Sequence, residues 1–173
     1  SMWAGSIGEI SITQHRIELQ KDAKPIYQAP YRAGSKAREV ERIEVDRMLQ
    51  EGVIEPATSE WASPVVLITK PDGSVRFCVD YRKLNALTIK DSYPLPRMDE
   101  CLDSLGDATM FSTLDCNSGY WQILMKEEDQ NKTAFVTHCG VHRFKIMPFG
   151  LCNAPATFQR ALDMILAKVK WNY

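Results

Sequence analysis

Lys70 and Arg76 flank the run Pro71-Asp72-Gly73-Ser74, one cation on each side of a turn. Both charges can therefore reach the same small volume. Such a pair suits a nucleotide polyphosphate, because Arg grips phosphate oxygens as a fork and Lys adds a point charge. The same charges also suit a solvated hairpin whose edge they blunt. Asp115 ends the apolar run Met110-Phe111-Ser112-Thr113-Leu114. A carboxylate at a strand end can hold a divalent ion through oxygen ligands, or simply open a turn on its own backbone. Ser118-Gly119-Tyr120 follows at once. Glycine lets backbone approach a ligand closely, and the ring beyond it could pack under a sugar and exclude an extra hydroxyl. A buried Tyr with a bonded hydroxyl is equally economical. Met147-Pro148-Phe149-Gly150-Leu151 is a stiff loop with an aromatic, able either to support a base or to turn a corner.

These residues need positioning elements. Ile12, Ile17 and Leu19 suggest an extended strand, and Lys24-Pro25-Ile26 with Ala29-Pro30-Tyr31 enforce non-helical chain. Ser35 is the expected N-cap of a helix running to about Glu51, with Gly52 at its stop. Val40, Ile43, Met48 and Leu49 form its apolar stripe, and Arg42–Asp46 and Arg47–Glu51 fall at helical ion-pair spacing. Residues 64–70 and 75–82 read as a hairpin about the Pro71–Ser74 turn, one face apolar and the other charged. Downstream, residues 97–105 read as a helix and 110–115 as a strand. A second apolar run, 120–125, precedes two strands, 133–138 and 142–147, that turn at Cys139-Gly140. Pro155 suits the first turn of a last helix, with Phe158, Leu162, Ile165, Leu166 and Val169 on one face. Strands and helices without regular βαβ alternation predict an α+β fold, an antiparallel sheet with packed helices.

The chain has 173 residues, 45% hydrophobic and 25% charged, enough for one folded domain with a core. The five cysteines form no C-x-x-C pair and read as free thiols. No apolar run approaches the roughly 20 residues of a membrane span, so no membrane partner is expected. The Ser before Met2 reads as a cloning remnant. The net charge of −1 is unlike that of most nucleic-acid modules, so any polyanion site requires positive charge gathered on one face.

The blocks in order carry a resemblance that no one of them carries alone. They are Trp61-Ala62-Ser63-Pro64-Val65-Val66, the hairpin with its Lys70-to-Asn85 extension, and Tyr93-Pro94-Leu95-Pro96 with Phe111-to-Asp115 and Ser118-Gly119-Tyr120. Lys132-Thr133-Ala134-Phe135 and Met147-to-Pro155 complete the set. Over roughly residues 15–170 the chain resembles the reverse transcriptases of gypsy-type long-terminal-repeat retrotransposons. Such a resemblance implies an RNA-directed DNA polymerase with a right-hand shape, of which this chain holds the fingers and part of the palm. It implies an N-terminal extension over 1–14, fingers with the start of the palm over 15–109, and palm with inserted fingers strands over 110–173.

By position, Asp115 resembles the first metal-binding aspartate of that group, with the Cys116 backbone carbonyl beside it, both toward Mg²⁺. Lys70, Arg76, Asn117, Ser118, Gly119, Tyr120 and Phe149 match the positions about the incoming dNTP, Tyr120 as the gate against ribonucleotides. Arg82, Asn85 and Gly150 match template contacts. The implied partners are an RNA or DNA template–primer, a dNTP and the C-terminal polymerase segments; self-association through an exposed palm surface is a further expectation. An intracellular, cytoplasmic retroelement particle is the expected location. Cys116 and Trp121 stand where this group more often has Leu and His. The two further aspartates of its Tyr-x-Asp-Asp motif are not in these 173 residues, so no polymerase activity is expected of the chain alone. The alternative is a retroelement remnant that binds nucleic acid or protein without catalysis.

Overall fold

The computed structural model describes residues 8–167 apart from Ser104, Asp107, Ala108 and Leu114. The first half runs β1 (Ile10–His15), α1 (Ser35–Gln50), β2 (Ile54–Pro56), β3 (Ser63–Thr69), β4 (Val75–Val79), α2 (Arg82–Leu87) and α3 (Met98–Asp103). The second half runs β5 (Ile123–Met125), α4 (Glu127–Gln130), β6 (Phe135–Thr137), β7 (Gly140–Phe144) and α5 (Ala154–Leu166). Five strands form one sheet in the order β2-β7-β6-β3-β4, antiparallel except where β3 meets β6. A separate parallel pair joins β1 to β5. The fold is α+β, as the pattern predicts.

The hairpin forms where turn chemistry and alternation agree. Asp72 Oδ1 accepts from the Ser74 amide at 2.9 Å and its hydroxyl at 2.6 Å, and Gly73 takes φ +79°. That fixes the register Thr69↔Val75, Ile68↔Arg76, Leu67↔Phe77. Leu67 and Phe77 then join a core built on Val45, Met48, Ile54, Val65, Phe135 and Phe144. Ile68 and Arg76 stay exposed on the other face. A second core gathers Ile17, Tyr81, Leu84, Ile123, Met125, Met147 and Leu151 beneath α5. The buried Asp129 ties the N-terminal strand to it, accepting the Ile17 amide at 3.0 Å and pairing with Lys132.

Several boundaries differ from the sequence pattern. Gly34, not Ser35, occupies the N-cap of α1, and Ser35 is its first helical residue. The predicted pairs Arg42–Asp46 and Arg47–Glu51 both form, but the buried face is Glu41, Val45 and Met48 while Ile43 is exposed. Glu41 is tolerated there because His138 Nδ1 lies 2.9 Å from its carboxylate. Residues 120–125 open as a 3-10 turn, Gly119–Gln122, before β5.

The largest correction is the strand expected over 110–115. Leu114 lies outside the described residues, and its described neighbours are irregular, with Met110 90% and Phe111 63% exposed. A strand exists only when another strand takes its amides and carbonyls, and none does so here among the described residues. The predicted face of α5 is also corrected. Ala154, Ala156, Thr157 and Ala161 are buried, whereas Ile165 and Leu166 are exposed, and Val169 lies outside the described residues.

Candidate nucleotide and template site

Between the hairpin and α1 lies a cavity of about 480 Å³. Lys70 and Arg76 reach it from the ends of β3 and β4, while Ser118, Phe149 and Gly150 line it from the facing loops. Both cations are exposed and neither makes an ion pair among the described residues, unlike Arg47 on the far wall, which Glu44 and Glu51 hold. Positive charge is thus concentrated here despite the chain's negative balance.

A column of side chains stands beside the cavity. The Arg76 guanidinium lies 5.9 Å from the centre of the Phe149 ring. Phe149 stacks on Tyr120 at 5.1 Å and 26°, and Tyr120 meets Phe158 of α5 at 5.3 Å and 59°. These separations and tilts are in the attractive range for aromatic pairs. Ser118 adopts φ +50°, a left-handed conformation that turns the chain sharply before the column. Burial raises the Tyr120 hydroxyl above the usual range, favouring its neutral form.

The loop carrying Phe149 is held from below. Gly150 takes φ +96°, which side chains rarely adopt, and it packs over the Tyr81 ring and the Val79 carbonyl, where a Cβ would stand in ordinary contact at 3.4 and 3.5 Å. Asn85 donates from Nδ2 to the Gly150 carbonyl at 2.8 Å and accepts from the Cys152 amide at 2.9 Å. Its side chain is therefore committed to the loop. Asn85 also lines a second hollow, of about 540 Å³, with Arg82, Lys90 and Cys152. Arg82 forms a fork with Asp80, which also accepts from the Tyr31 hydroxyl at 3.0 Å. The Arg82 bonds hold the Asp80 carboxyl well below the ordinary carboxylate range.

Of the residues the sequence singles out, five share the first cavity: Lys70, Arg76, Ser118, Phe149 and Gly150. Tyr120 joins through its stack on Phe149, and Gly119 lies against Phe158. Arg82 and Asn85 belong to the second hollow, which Gly150 touches through Asn85. Asp115, Cys116 and Asn117 are exposed and outside the first cavity's walls. Among the described residues no group of three or more His, Cys, Asp or Glu side chains could hold a metal ion. Asp115 alone does not fit a two-ion site, which needs shared carboxylates. Sequence reasoning missed Glu44 and Arg47 as cavity walls, since the wet side of a helix carries no local sign of what faces it. It noted Trp121 only as a departure, yet its ring lines the cavity under the Arg47 guanidinium at 5.5 Å.

Residues 68–172 match the reverse transcriptase (RNA-dependent DNA polymerase) family. The retrovirus-related Pol polyprotein from transposon opus of Drosophila melanogaster is 47% identical over 148 residues, 82% of this chain and 15% of that protein. The corresponding polyprotein from transposon gypsy is 39% identical over 84% of the chain and 15% of its own length. Prototype foamy virus protease-reverse transcriptase (CSH mutant) superposes with a TM-score of 0.83 at 28% identity, over 96% of this chain and 22% of that one. The foamy viral protease-reverse transcriptase solved with an RNA/DNA hybrid gives 0.78 at 26% identity, over 98% and 23%. The chain belongs to the reverse transcriptase family, as a domain fragment homologous to retroelement RNA-directed DNA polymerases. It spans about 15% of the length of the first curated relatives it matches. No helix among the described residues is long and apolar enough to cross a membrane.

Proposed function

We propose that this chain supplies the nucleotide- and template-binding walls of an RNA-directed DNA polymerase, its fingers and the start of its palm. The observation that carries the reading is the meeting of Lys70 and Arg76 with Ser118, Phe149 and Gly150 around one cavity. Two cations with no ion pair among the described residues suit a triphosphate at one end, and the Phe149–Tyr120 stack offers an aromatic floor for base and sugar. Tyr120 is the gate that excludes a 2′-hydroxyl. The second hollow, lined by Lys90 and by Arg82, which Asp80 holds, takes the template backbone, consistent with a homologous structure solved on an RNA/DNA hybrid.

Positioning and charge neutralisation are what these residues contribute to phosphoryl transfer. Asp115, with the Cys116 carbonyl, would contribute one carboxylate toward a Mg²⁺ site, which needs further shared carboxylates beside it. The exposed Met98, Leu102, Met110 and Phe111 form an apolar surface suited to cover by another polymerase segment. Uncovered, that surface drives self-association. Function in a cytoplasmic retroelement particle follows from the same reading.

The test is binding of dATP and deoxyadenosine by the chain on a template–primer duplex with a templating T. Arg76→Ala should weaken the triphosphate at least tenfold, the scale of one charge-assisted bond of about 1.5–3 kcal/mol, and leave the nucleoside nearly unchanged. Equal losses for the two ligands would remove Arg76 from the phosphate role. No triphosphate binding by the unsubstituted chain would favour a non-enzymatic binding module.

A further inference from the structure

The aromatic column beside the cavity ends in a residue that sequence reasoning treats only as packing. Phe158 sits in the first half of α5, between the buried Thr157 and Ala161, so its backbone has little freedom. His15 Nδ1 lies 2.8 Å from the Thr157 hydroxyl, pinning this turn of the helix to β1. From that anchored position the ring does two things. It meets Tyr120 at 5.3 Å and 59°, on α5's side of the column, while Phe149 stacks on Tyr120 at 5.1 Å. It also covers the backbone of the preceding residue, for a Cβ built on Gly119 would stand 2.7 Å from Phe158 Cζ and 2.9 Å from Cε2. Real Cβ atoms essentially never come so close, so a side chain at residue 119 would require the Phe158 ring to shift.

We propose that Phe158 is the positioning residue for sugar selectivity, holding the Tyr120 ring at the height and tilt that close the nucleotide cavity to a 2′-hydroxyl. The inference rests on the nucleotide-site reading above and adds a residue outside the cavity lining. Excluding one oxygen requires the excluding ring to be fixed to a fraction of an ångström. Tyr120 is not fixed by Phe149 alone, because Phe149 is half exposed on a loop and meets the exposed Arg76. Phe158 supplies the rigid contact from a helix. A smaller side chain there lets the Tyr120 ring sink toward α5 and opens room for the extra hydroxyl. Binding of the deoxynucleotide, which needs no such room, is largely kept.

The experiment is displacement of labelled dATP by ATP on the chain with template–primer and Mg²⁺, giving the affinity ratio of the two nucleotides. Phe158→Leu keeps most of the apolar volume and should narrow the preference for dATP by about five- to tenfold, the worth of one aromatic pair. Gly119→Ala, which must push the Phe158 ring aside, should narrow it in the same direction. Ile17→Val, which removes a methyl from the same core, should leave the ratio unchanged. Equal weakening of ATP and dATP in Phe158→Leu would reduce Phe158 to packing and overturn the proposal, as would an unchanged ratio in both Phe158→Leu and Gly119→Ala. If dATP binding is intact and lost specifically in Arg76→Ala while the ratio stays fixed, the nucleotide site stands and only the role of Phe158 falls. If the unsubstituted chain binds no triphosphate, both fall.

Discussion

The five-stranded sheet and the segment over 94–116 are built from residues of similar character, yet they end in opposite states. In the sheet, Phe135 is fully buried and its ring meets Phe77, Phe144 and His142 at 5.7, 5.3 and 5.8 Å. In the other segment α3 has no buried residue, and Met98, Leu102, Met110 and Phe111 are exposed. The segment still carries large apolar side chains, and what it lacks is pairing. Every strand of the sheet finds its hydrogen-bonding neighbour within the described residues, and residues 109–113 do not. Apolar character fixes which side chains seek burial; a partner strand decides whether they reach it.

Truncating the two regions should break the symmetry most sharply. Phe135→Ala should cost about 3–5 kcal/mol in equilibrium urea unfolding, the usual loss for a fully buried aromatic. A cost under about 1 kcal/mol would mean that the sheet core is looser than its ring contacts indicate.

The second measurement probes the boundary where β1 meets α5. Burial lowers the pKa of His15 from 6.5 to about 4, against the opposing charges of Asp129 and Asp91. The folded chain therefore binds fewer protons at His15 than the unfolded chain between these values, and stability rises with pH through that window. Acidifying from pH 6.5 to 4 should remove roughly 3 kcal/mol of this residue's contribution. Measured against His15→Gln at each pH, this part of the slope should vanish in the variant. An identical slope in both would assign the acid sensitivity to the carboxylates.

The smallest effect on stability is expected in the open segment. The double substitution Met110→Ser and Phe111→Ser should change unfolding free energy by no more than about 0.5 kcal/mol, as at other exposed sites. It should nevertheless lower the sedimentation-average mass if this surface drives self-association. A large loss of stability would show that the segment packs against the domain in solution and would erase the contrast with the sheet.

Local chemistry made part of this structure legible. The Pro71–Ser74 turn and the flanking alternation predict the β3–β4 hairpin to within one residue at every end but the last, where β4 stops at Val79 and not at Arg82, because Asp72, Gly73 and Ser74 specify the turn themselves. The order of the motif blocks identifies the family, and the same resemblance groups Lys70, Arg76 and Phe149, which line one cavity. What stayed hidden depends on distant partners. β2 was missed because Ile54–Pro56 becomes a strand only against His142–Phe144. α2 was missed because the alternation of β4 continues through Tyr81 and Arg82, while the chain turns helical over Leu84, whose side chain the second core buries. Asn85 was read as a template contact, and its bonds to Gly150 and Cys152 could not be foreseen from spacing alone.

Those two bonds from Asn85 have a mechanical meaning. One amide, rooted in α2, grips the 150–152 loop at two points, and that loop forms a wall of both hollows. The hollows are thereby geared: neither can slide along the other without breaking both bonds. A single side chain therefore fixes the spacing between the two hollows.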